Sequence, residues 1–304
     1  MHECDEVRTR LAGRRRGVAL PPVVPDLPLL VPGLPRPPLR AAELRRALLA
    51  PIGPYAALDV VESLPSTNTA LAAAARNGAP DRTVLVAEHQ TAGRGRAGRC
   101  WVSPARSGLV CSVLLRPTEV PSARWGWLSL LAGVVLCRTV ATLGGVAAVL
   151  KWPNDLLLGA GRRKAAGILA EVVPGPAVVL GIGLNVTVQP EELRAARVGP
   201  ATSLAVERAT CTDREVLLCA WLRALDREIV AWCGCGGDPE ATGLRESYLR
   251  CCATLGEQVR VELPGQPVLT GSAVDLDSAG RLVVLSGGRR RALAAGDVRH
   301  VRAG

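Results

Sequence analysis

The residues with most chemical content lie in a short run, Gly93-Arg94-Gly95-Arg96-Ala97-Gly98-Arg99. Glycines let a backbone approach a ligand closely, and arginines offer planar, permanently charged donors matched to carboxylate and phosphate oxygens. Such a loop is suited to enclosing an anion. If it lacks structure before the ligand arrives, ordering it costs roughly 7–14 kcal/mol at about 1–2 per residue, so closure depends on a well-matched ligand. The run also satisfies G-x-G-x-x-G. A dinucleotide fingerprint must open a helix that receives the pyrophosphate, whereas Trp101, Ser103-Pro104 and a strand-like run follow here. No G-x-x-x-x-G-K-[ST] phosphate loop occurs. On the loop alone, an RNA-binding Arg/Gly segment and a solvated basic turn remain alternatives.

The neighbourhood decides between them. The chain has two lysines, Lys151 and Lys164, and four asparagines, at 68, 77, 154 and 185; both lysines and three of the asparagines fall inside motifs. These are Ser66-Thr67-Asn68, Lys151-Trp152-Pro153-Asn154-Asp155, the segment from Lys164-Ala165-Ala166-Gly167 to Glu171, and Gly181-Ile182-Gly183-Leu184-Asn185-Val186. Plain structural roles exist for parts of them. Ser66-Thr67 can cap the helix that follows, Trp152-Pro153 reads as packing, and 181–186 reads as a buried strand ending in a tight turn.

In order and spacing the four motifs and the loop resemble biotin–protein ligases, over roughly residues 55 to 304. The resemblance implies an α+β fold, a mixed sheet with packed helices of the class II synthetase-like biotin/lipoate ligase type, followed by a small SH3-like β-barrel. It implies ATP and biotin as substrates, with Mg²⁺. Ser66, Thr67, Asn68, Gln90 and Arg94 then line the biotin head and ring, Gly95, Arg96 and Arg99 continue the enclosing loop, and Trp101 supplies apolar wall. Lys164, with Arg94 and Arg96, carries the catalytic charge beside the reacting carboxylate and phosphate. Lys151, Asn154 and Asp155 face the nucleotide, Asp155 also being the candidate Mg²⁺ ligand, and Asn185 lies near adenine or ribose. The implied protein partner is the biotin carboxyl carrier domain of a biotin-dependent carboxylase; a homodimer is left open. The sequence departs from the family at Val102 and at Val110-Cys111, which stand where aromatic residues are common, so the pocket walls are expected to be thinner. The absence of Phe from the whole chain makes this compositional drift.

The elements that must position these residues are legible in outline. At 304 residues the chain is long enough for a catalytic domain and a smaller module. Residues 1–40 are rich in Pro and Arg without periodic hydrophobicity and are expected to be a disordered extension, with nothing resembling a helix-turn-helix. Residues 41–253 carry strand-like runs at Thr83–Ala87, Leu109–Leu115 and Val178–Gly181, and helical patterns at Thr67–Arg76, Ala123–Thr142 and Asp213–Trp232. Residues 254–304 switch to short alternating segments, 259–263 and 281–285, separated by Pro264-Gly265, Ser278-Ala279-Gly280 and Gly287-Gly288.

Composition narrows the class further. A formal charge of +10 favours anionic substrates or partners. Ten cysteines without a Cys-x-x-Cys framework, and histidines only at 2, 89 and 300, fit a reduced, cytoplasmic setting better than a metal site or a secreted scaffold. Pro21, Pro22, Pro25 and Pro28 interrupt the apolar stretch after Arg14-Arg15-Arg16, against export. Leu128–Leu150 is apolar enough to span a membrane, but Arg138 and Gly133, Gly144 and Gly145 interrupt it; a buried core helix and no membrane partner are expected. Two rival functions remain. A lipoate or octanoate ligase of the same superfamily differs in the acid accepted, and the polar set facing the ureido ring favours biotin. A nucleic-acid-binding protein using the loop and Arg289-Arg290-Arg291 gives no reason for Lys164 or the Asn185 motif, so no nucleic-acid partner is expected.

Overall fold

The structure is a computed structural model that describes residues 36–196, 199–263, 267–294 and 297–300. The elements in chain order are α1 (Ala41–Leu48), β1 (Ala57–Leu64), α2 (Thr67–Arg76), β2 (Thr83–Gln90), β3 (Gly108–Leu115), α3 (Trp127–Gly144), β4 (Ala148–Lys151), β5 (Asp155–Leu158), β6 (Arg163–Val173), β7 (Ala177–Asn185), α4 (Pro190–Ala195), α5 (Arg214–Gly234) and α6 (Leu244–Cys251). A second group follows: β8 (Gln258–Glu262), β9 (Leu269–Leu276), β10 (Leu282–Ser286), β11 (Arg289–Leu293) and β12 (Asp297–His300).

The first group forms a seven-stranded sheet in the order β1-β2-β3-β7-β6-β5-β4. β1 and β2 are parallel and the remaining pairs antiparallel, so the sheet is mixed. β3 and β7 lie at its centre and are buried at every position, as their continuous apolar runs require of strands covered on both faces. Alternation then divides their side chains. Leu109, Cys111, Val113 and Leu115 of β3 join Val178, Leu180, Ile182 and Leu184 of β7 in the large core shared with α3 and α5. On the other face Leu114, Ala177 and Val179 pack under Leu71 and Ala75 of α2. Farther along that second face the positions are Val110 and Ser112 on β3 and Gly181, Gly183 and Asn185 on β7. Apolar bulk stops there, and the sheet is left open for a ligand.

α3 has the length and hydropathy of a membrane span, yet lies largely buried between the sheet and the helices α5 and α6. It begins after a tight turn at Ser122–Arg124 and stops at Gly145 in the left-handed region (φ +63), so it is displaced toward the C-terminus from the expected 123–142. α5 is capped by Asp213, whose Oδ1 accepts from the amides of Glu215 (2.8 Å) and Val216 (3.1 Å).

The second group is a five-stranded antiparallel sheet, β11-β10-β9-β8-β12, of the small barrel type expected. Two tryptophans fasten it to the first. Trp127 Nε1 donates to Ser278 O (2.8 Å) and Trp152 Nε1 to Gly280 O (3.1 Å), and both rings are buried. The packing role read for Trp152 is thus an inter-module contact. Residues 1–35 lie outside the described residues, but 36–40 do not fit the expected disorder: they dock on the catalytic domain through a buried Arg36–Glu192 ion pair and through hydrogen bonds from Leu39 N to Glu88 and from Arg214 to Pro37 O.

Candidate active site

The open part of the sheet forms the floor of a cavity of about 1300 Å³ lined by every residue assigned above a catalytic, biotin-binding or nucleotide-facing role. Its floor is made by absent side chains. A Cβ at Gly183 would overlap the Trp101 indole, and one at Gly181 would overlap Asn68 Oδ1. At Gly167 of β6 a Cβ would already touch Trp101 Cζ3 at 3.4 Å. Glycine on two neighbouring strands therefore lets the Trp101 indole lie flat against the sheet as part of the cavity wall.

One end of the cavity is lined mainly by neutral polar side chains, with the Arg94–Glu171 ion pair beside them. Ser66 caps α2, its Oγ accepting from Thr69 N (3.4 Å), so capping and cavity lining coexist in one residue. Gln90 Oε1 accepts from the amide (2.8 Å) and hydroxyl (3.1 Å) of Thr67. Ser112 Oγ bridges Thr67 Oγ1 (2.7 Å) and Asn68 Oδ1 (2.6 Å). Asn68 Nδ2 donates to Glu171 Oε2 (2.9 Å), and Glu171 Oε1 pairs with Arg94 Nη2 at 2.9 Å. These polar contacts link Gln90 on β2 to Arg94 of the glycine–arginine loop, with the single Ser112 proton shared between Thr67 Oγ1 and Asn68 Oδ1. Buried polar groups satisfied in this way hold one arrangement, because any unpaired member carries a desolvation cost. Sequence reading missed Ser112 and Glu171. The first is on the cavity side of the sheet, buried behind Thr67 and Asn68, only because β3 pairs with β7 so that Ser112 is opposite Gly181.

The glycine–arginine loop is folded on itself. Gly95 N donates to Arg99 O (2.6 Å), Arg99 N to Arg96 O (3.1 Å) and Trp101 N to Gly93 O (2.9 Å). Ala97 (φ +52) and Gly98 (φ +73) reverse the chain in the left-handed region, which costs a non-glycine residue strain. The loop thus carries structure of its own, which lowers the ordering cost estimated from a fully unstructured segment. Trp101 Nε1 is buried against Gly183 without a hydrogen-bond partner.

The other end is charged. Lys164 Nζ lies 2.6 Å from Asp155 Oδ1 and 5.9 Å from the Trp101 ring centroid. The first contact is an ion pair without hydrogen-bond geometry, so the buried Oδ1 accepts no hydrogen bond. Lys151 and Arg162 line the same end. Asn154 and Asn185 have structural tasks as well. Asn154 Nδ2 donates to Ile168 O (2.9 Å), and Asn185 Nδ2 donates to Thr202 O (3.0 Å). The C-terminal module adds Glu257 and His300, which the sequence reading did not include. Glu257 Oε1 pairs with Arg162 Nη1 at 3.4 Å, and His300 Nε2 lies 3.2 Å from Thr254 Oγ1. Burial, with Lys151 and Arg162 nearby, holds the His300 imidazole below its ordinary pKa, against an opposing pull from Glu257.

Of the two departures noted in the sequence, Val102 and Val110 line the cavity, but Cys111 does not. It points to the opposite face of β3 into the main core, where burial pushes its thiol pKa far up. Among the described residues no group of three or more His, Cys, Asp or Glu side chains is placed to hold a metal by itself.

With this geometry in view, comparison with known proteins is specific. The Biotin/lipoate A/B protein ligase family model matches residues 60–186, and that of the Biotin protein ligase C terminal domain matches residues 254–301. The chain is 46% identical over 272 residues to a biotin--[acetyl-CoA-carboxylase] ligase of Mycobacterium tuberculosis, covering 88% of this chain and 97% of that protein. It is 36% identical to the bifunctional ligase/repressor BirA of Bacillus subtilis, but over 53% of this chain and half of that protein. Among solved structures, the biotin protein ligase of Aquifex aeolicus in complex with biotin and ATP superposes with a TM-score of 0.67 at 26% identity, over 81% of this chain and all of that one. By sequence across nearly its full length and by fold, the chain belongs to the biotin protein ligase family.

Proposed function

We propose that the chain activates biotin with ATP and transfers it to a lysine of a carrier protein. The observation that carries this reading is the division of one cavity into a polar end lined by Gln90, Thr67 and Asn68, held in place by the buried Ser112, and a cationic end around Lys151, Arg162 and Lys164. Biotin has the same division. Its ureido ring needs donors and acceptors in an otherwise apolar setting, and its carboxylate must meet the ATP α-phosphate despite like charge. The ring lies at the polar end with the Trp101 indole as an apolar wall, and its carboxylate points to Lys164.

A carboxylate oxygen attacks the α-phosphorus, the bond to the bridging oxygen breaks, and pyrophosphate leaves, forming biotinyl-5'-AMP. Lys164 stabilises the charge that develops on the transferring group; a fixed cation in a water-poor site is worth ~10²–10³ in rate. Arg94 and Arg96, on the loop, close over the mixed anhydride and keep water from it. The carrier lysine, as a free amine, then attacks the acyl carbon, AMP departs, and the amide remains. No side chain of this chain acts as a nucleophile. Lys151, Asn154 and Asn185 face the nucleotide.

Mg²⁺ accompanies ATP in this reading. The buried Asp155 Oδ1, which accepts no hydrogen bond, fits a hard cation, and Mg²⁺ takes one or two carboxylates with phosphate oxygens and water. When bound, it neutralises phosphate charge and polarises the phosphoryl oxygens. The carrier is the lysine-bearing domain of a biotin-dependent carboxylase, as the name of the Mycobacterium tuberculosis relative suggests. A cytoplasmic setting is supported by nine described cysteines that are all free thiols.

The test is modification of a biotin carboxyl carrier domain by the purified chain with ATP and Mg²⁺. Biotin on the acceptor lysine, seen as a mass shift, is the expected result. Modification with lipoate or octanoate in place of biotin would transfer the assignment to the rival acid.

A further inference from the structure

The five described residues ahead of α1 are bound to the catalytic domain by charge. Arg36 Nη1 and Nη2 donate to Glu192 Oε1 and Oε2 at 3.0 and 2.7 Å, and Nη2 also donates to Thr187 O at 2.9 Å. The two side chains are 8% and 4% exposed. A fork-to-fork pair buried to this degree fixes orientation as well as distance. Next to it, Arg214 Nη1 donates to Glu88 Oε2 and Arg214 Nη2 to Pro37 O, each at 2.5 Å. Leu39 N donates to the other Glu88 oxygen at 2.5 Å. Burial opposes the charge on Glu192, yet hydrogen bonds from Arg36 and from the Gln189 amide hold its carboxyl below the ordinary range.

What Arg36 grips is the chain leaving the end of β7. Thr187 stands two residues beyond Asn185, which lines the cavity. From Asn185 the bonds lead to the central lysine: Asn185 Nδ2 donates to Thr202 O (3.0 Å), Thr202 N to Lys164 O (2.9 Å), and Lys164 N to Pro200 O (3.1 Å). Glu192 meanwhile caps α4, its Oε2 accepting from Gln189 N (2.8 Å), and Ala196 after α4 lines the cavity. A helix of six residues has little stability of its own, so its placement depends on that cap and on the arginine that orients it.

We propose that Arg36 is a positioning residue for the nucleotide end of the site, acting through Thr187 and Glu192 on Asn185 and on the backbone that carries Lys164. It touches no substrate. The inference rests on the reaction proposed above and adds to it a dependence on a segment ahead of the catalytic domain, which composition marks as disposable.

The experiment is steady-state pyrophosphate exchange by the full chain, varying ATP and biotin separately, for Arg36→Ala, Arg36→Lys and Glu192→Gln, with thermal unfolding of each. For Arg36→Ala the KM for ATP is expected to rise about tenfold while that for biotin stays within about twofold, since small misplacements of a reacting group carry large penalties. Arg36→Lys, which keeps the charge but loses the fork, is expected to fall between. An unchanged KM for ATP with a lowered unfolding midpoint would overturn the proposal and leave a structural strap. Should Arg36→Ala fail to fold, a KM for ATP within about twofold of the unaltered chain in both Arg36→Lys and Glu192→Gln would overturn it equally. If the unaltered chain shows no biotin-dependent exchange, the reaction itself is wrong and this inference falls with it; exchange by the unaltered chain with no ATP effect in the variants refutes the positioning role alone.

Discussion

Lys164 Nζ stands 2.6 Å from Asp155 Oδ1 across the bulged pairing of β5 and β6, an ion pair that lacks hydrogen-bond geometry. Each partner is therefore available to a third group. The ammonium can turn to the reacting carboxylate and phosphate, and the carboxylate oxygen to a cation that arrives with the nucleotide.

Lys164→Ala is expected to reduce biotin-dependent pyrophosphate exchange by ~10²–10³ with the fold intact, the loss associated with removing one fixed charge-stabilising donor. Exchange rates and far-UV circular dichroism together check it. Near-normal exchange would remove the role given to this lysine.

Asp155→Asn separates the two tasks of the carboxylate. If Asp155 meets Mg²⁺, the variant should need about tenfold more Mg²⁺ for half-maximal exchange, with the KM for biotin little changed. A titration of Mg²⁺ at saturating ATP measures this. An unshifted requirement would leave Asp155 as a partner of Lys164 alone.

Gly183→Ala places a methyl group where the Trp101 indole lies. Overpacking typically costs about 1–3 kcal/mol, so biotin binding is expected to weaken by about 5- to 150-fold while ATP binding without biotin is unaffected. Isothermal titration with each ligand separates the two, and equal losses would point to a general disturbance of β7.

Arg96→Gly should loosen the loop over the adenylate. The expected outcome is release of biotinyl-5'-AMP and labelling of lysines on an added bystander protein, read by streptavidin blot. Unchanged selectivity for the carrier would count against a retaining loop.

His300 connects the C-terminal module to the cavity and carries a sign that can be checked. Its pKa is lowered by folding, chiefly through burial, so below its ordinary value near 6.5 the unfolded chain binds more protons than the folded one. The preference for the folded state is complete above that pH and is lost as the pH falls toward the folded pKa. The unfolding midpoint should decline more steeply between pH 7 and pH 5.5, roughly, in the unaltered chain than in His300→Gln.

The legible part of the molecule was set by rarity and by continuity. In a chain with two lysines and four asparagines, Lys151, Lys164, Asn154 and Asn185 stood out against their background, and β3 and β7 announced themselves as mostly apolar runs. What was hidden depends on register or on distance along the chain. Ser112 and Cys111 are adjacent, yet one is on the cavity side of the sheet, bonded to Thr67 and Asn68, and the other in the core, which only the pairing of β3 with β7 decides. Glu171 sat inside a recognised motif, but its partners Asn68 and Arg94 lie on other elements. Glu257 and His300 come from the module that looked separate, and Arg36 finds Glu192 across 156 positions from within a Pro/Arg-rich stretch that has no periodicity of its own.

The central claim is that one cavity binds biotin at its neutral end and ATP at its cationic end. Pyrophosphate exchange into ATP by the purified chain, across a panel of carboxylic acids, tests it most directly. The account predicts exchange with biotin and background rates with lipoate and octanoate; exchange supported by either of those acids and not by biotin would contradict it.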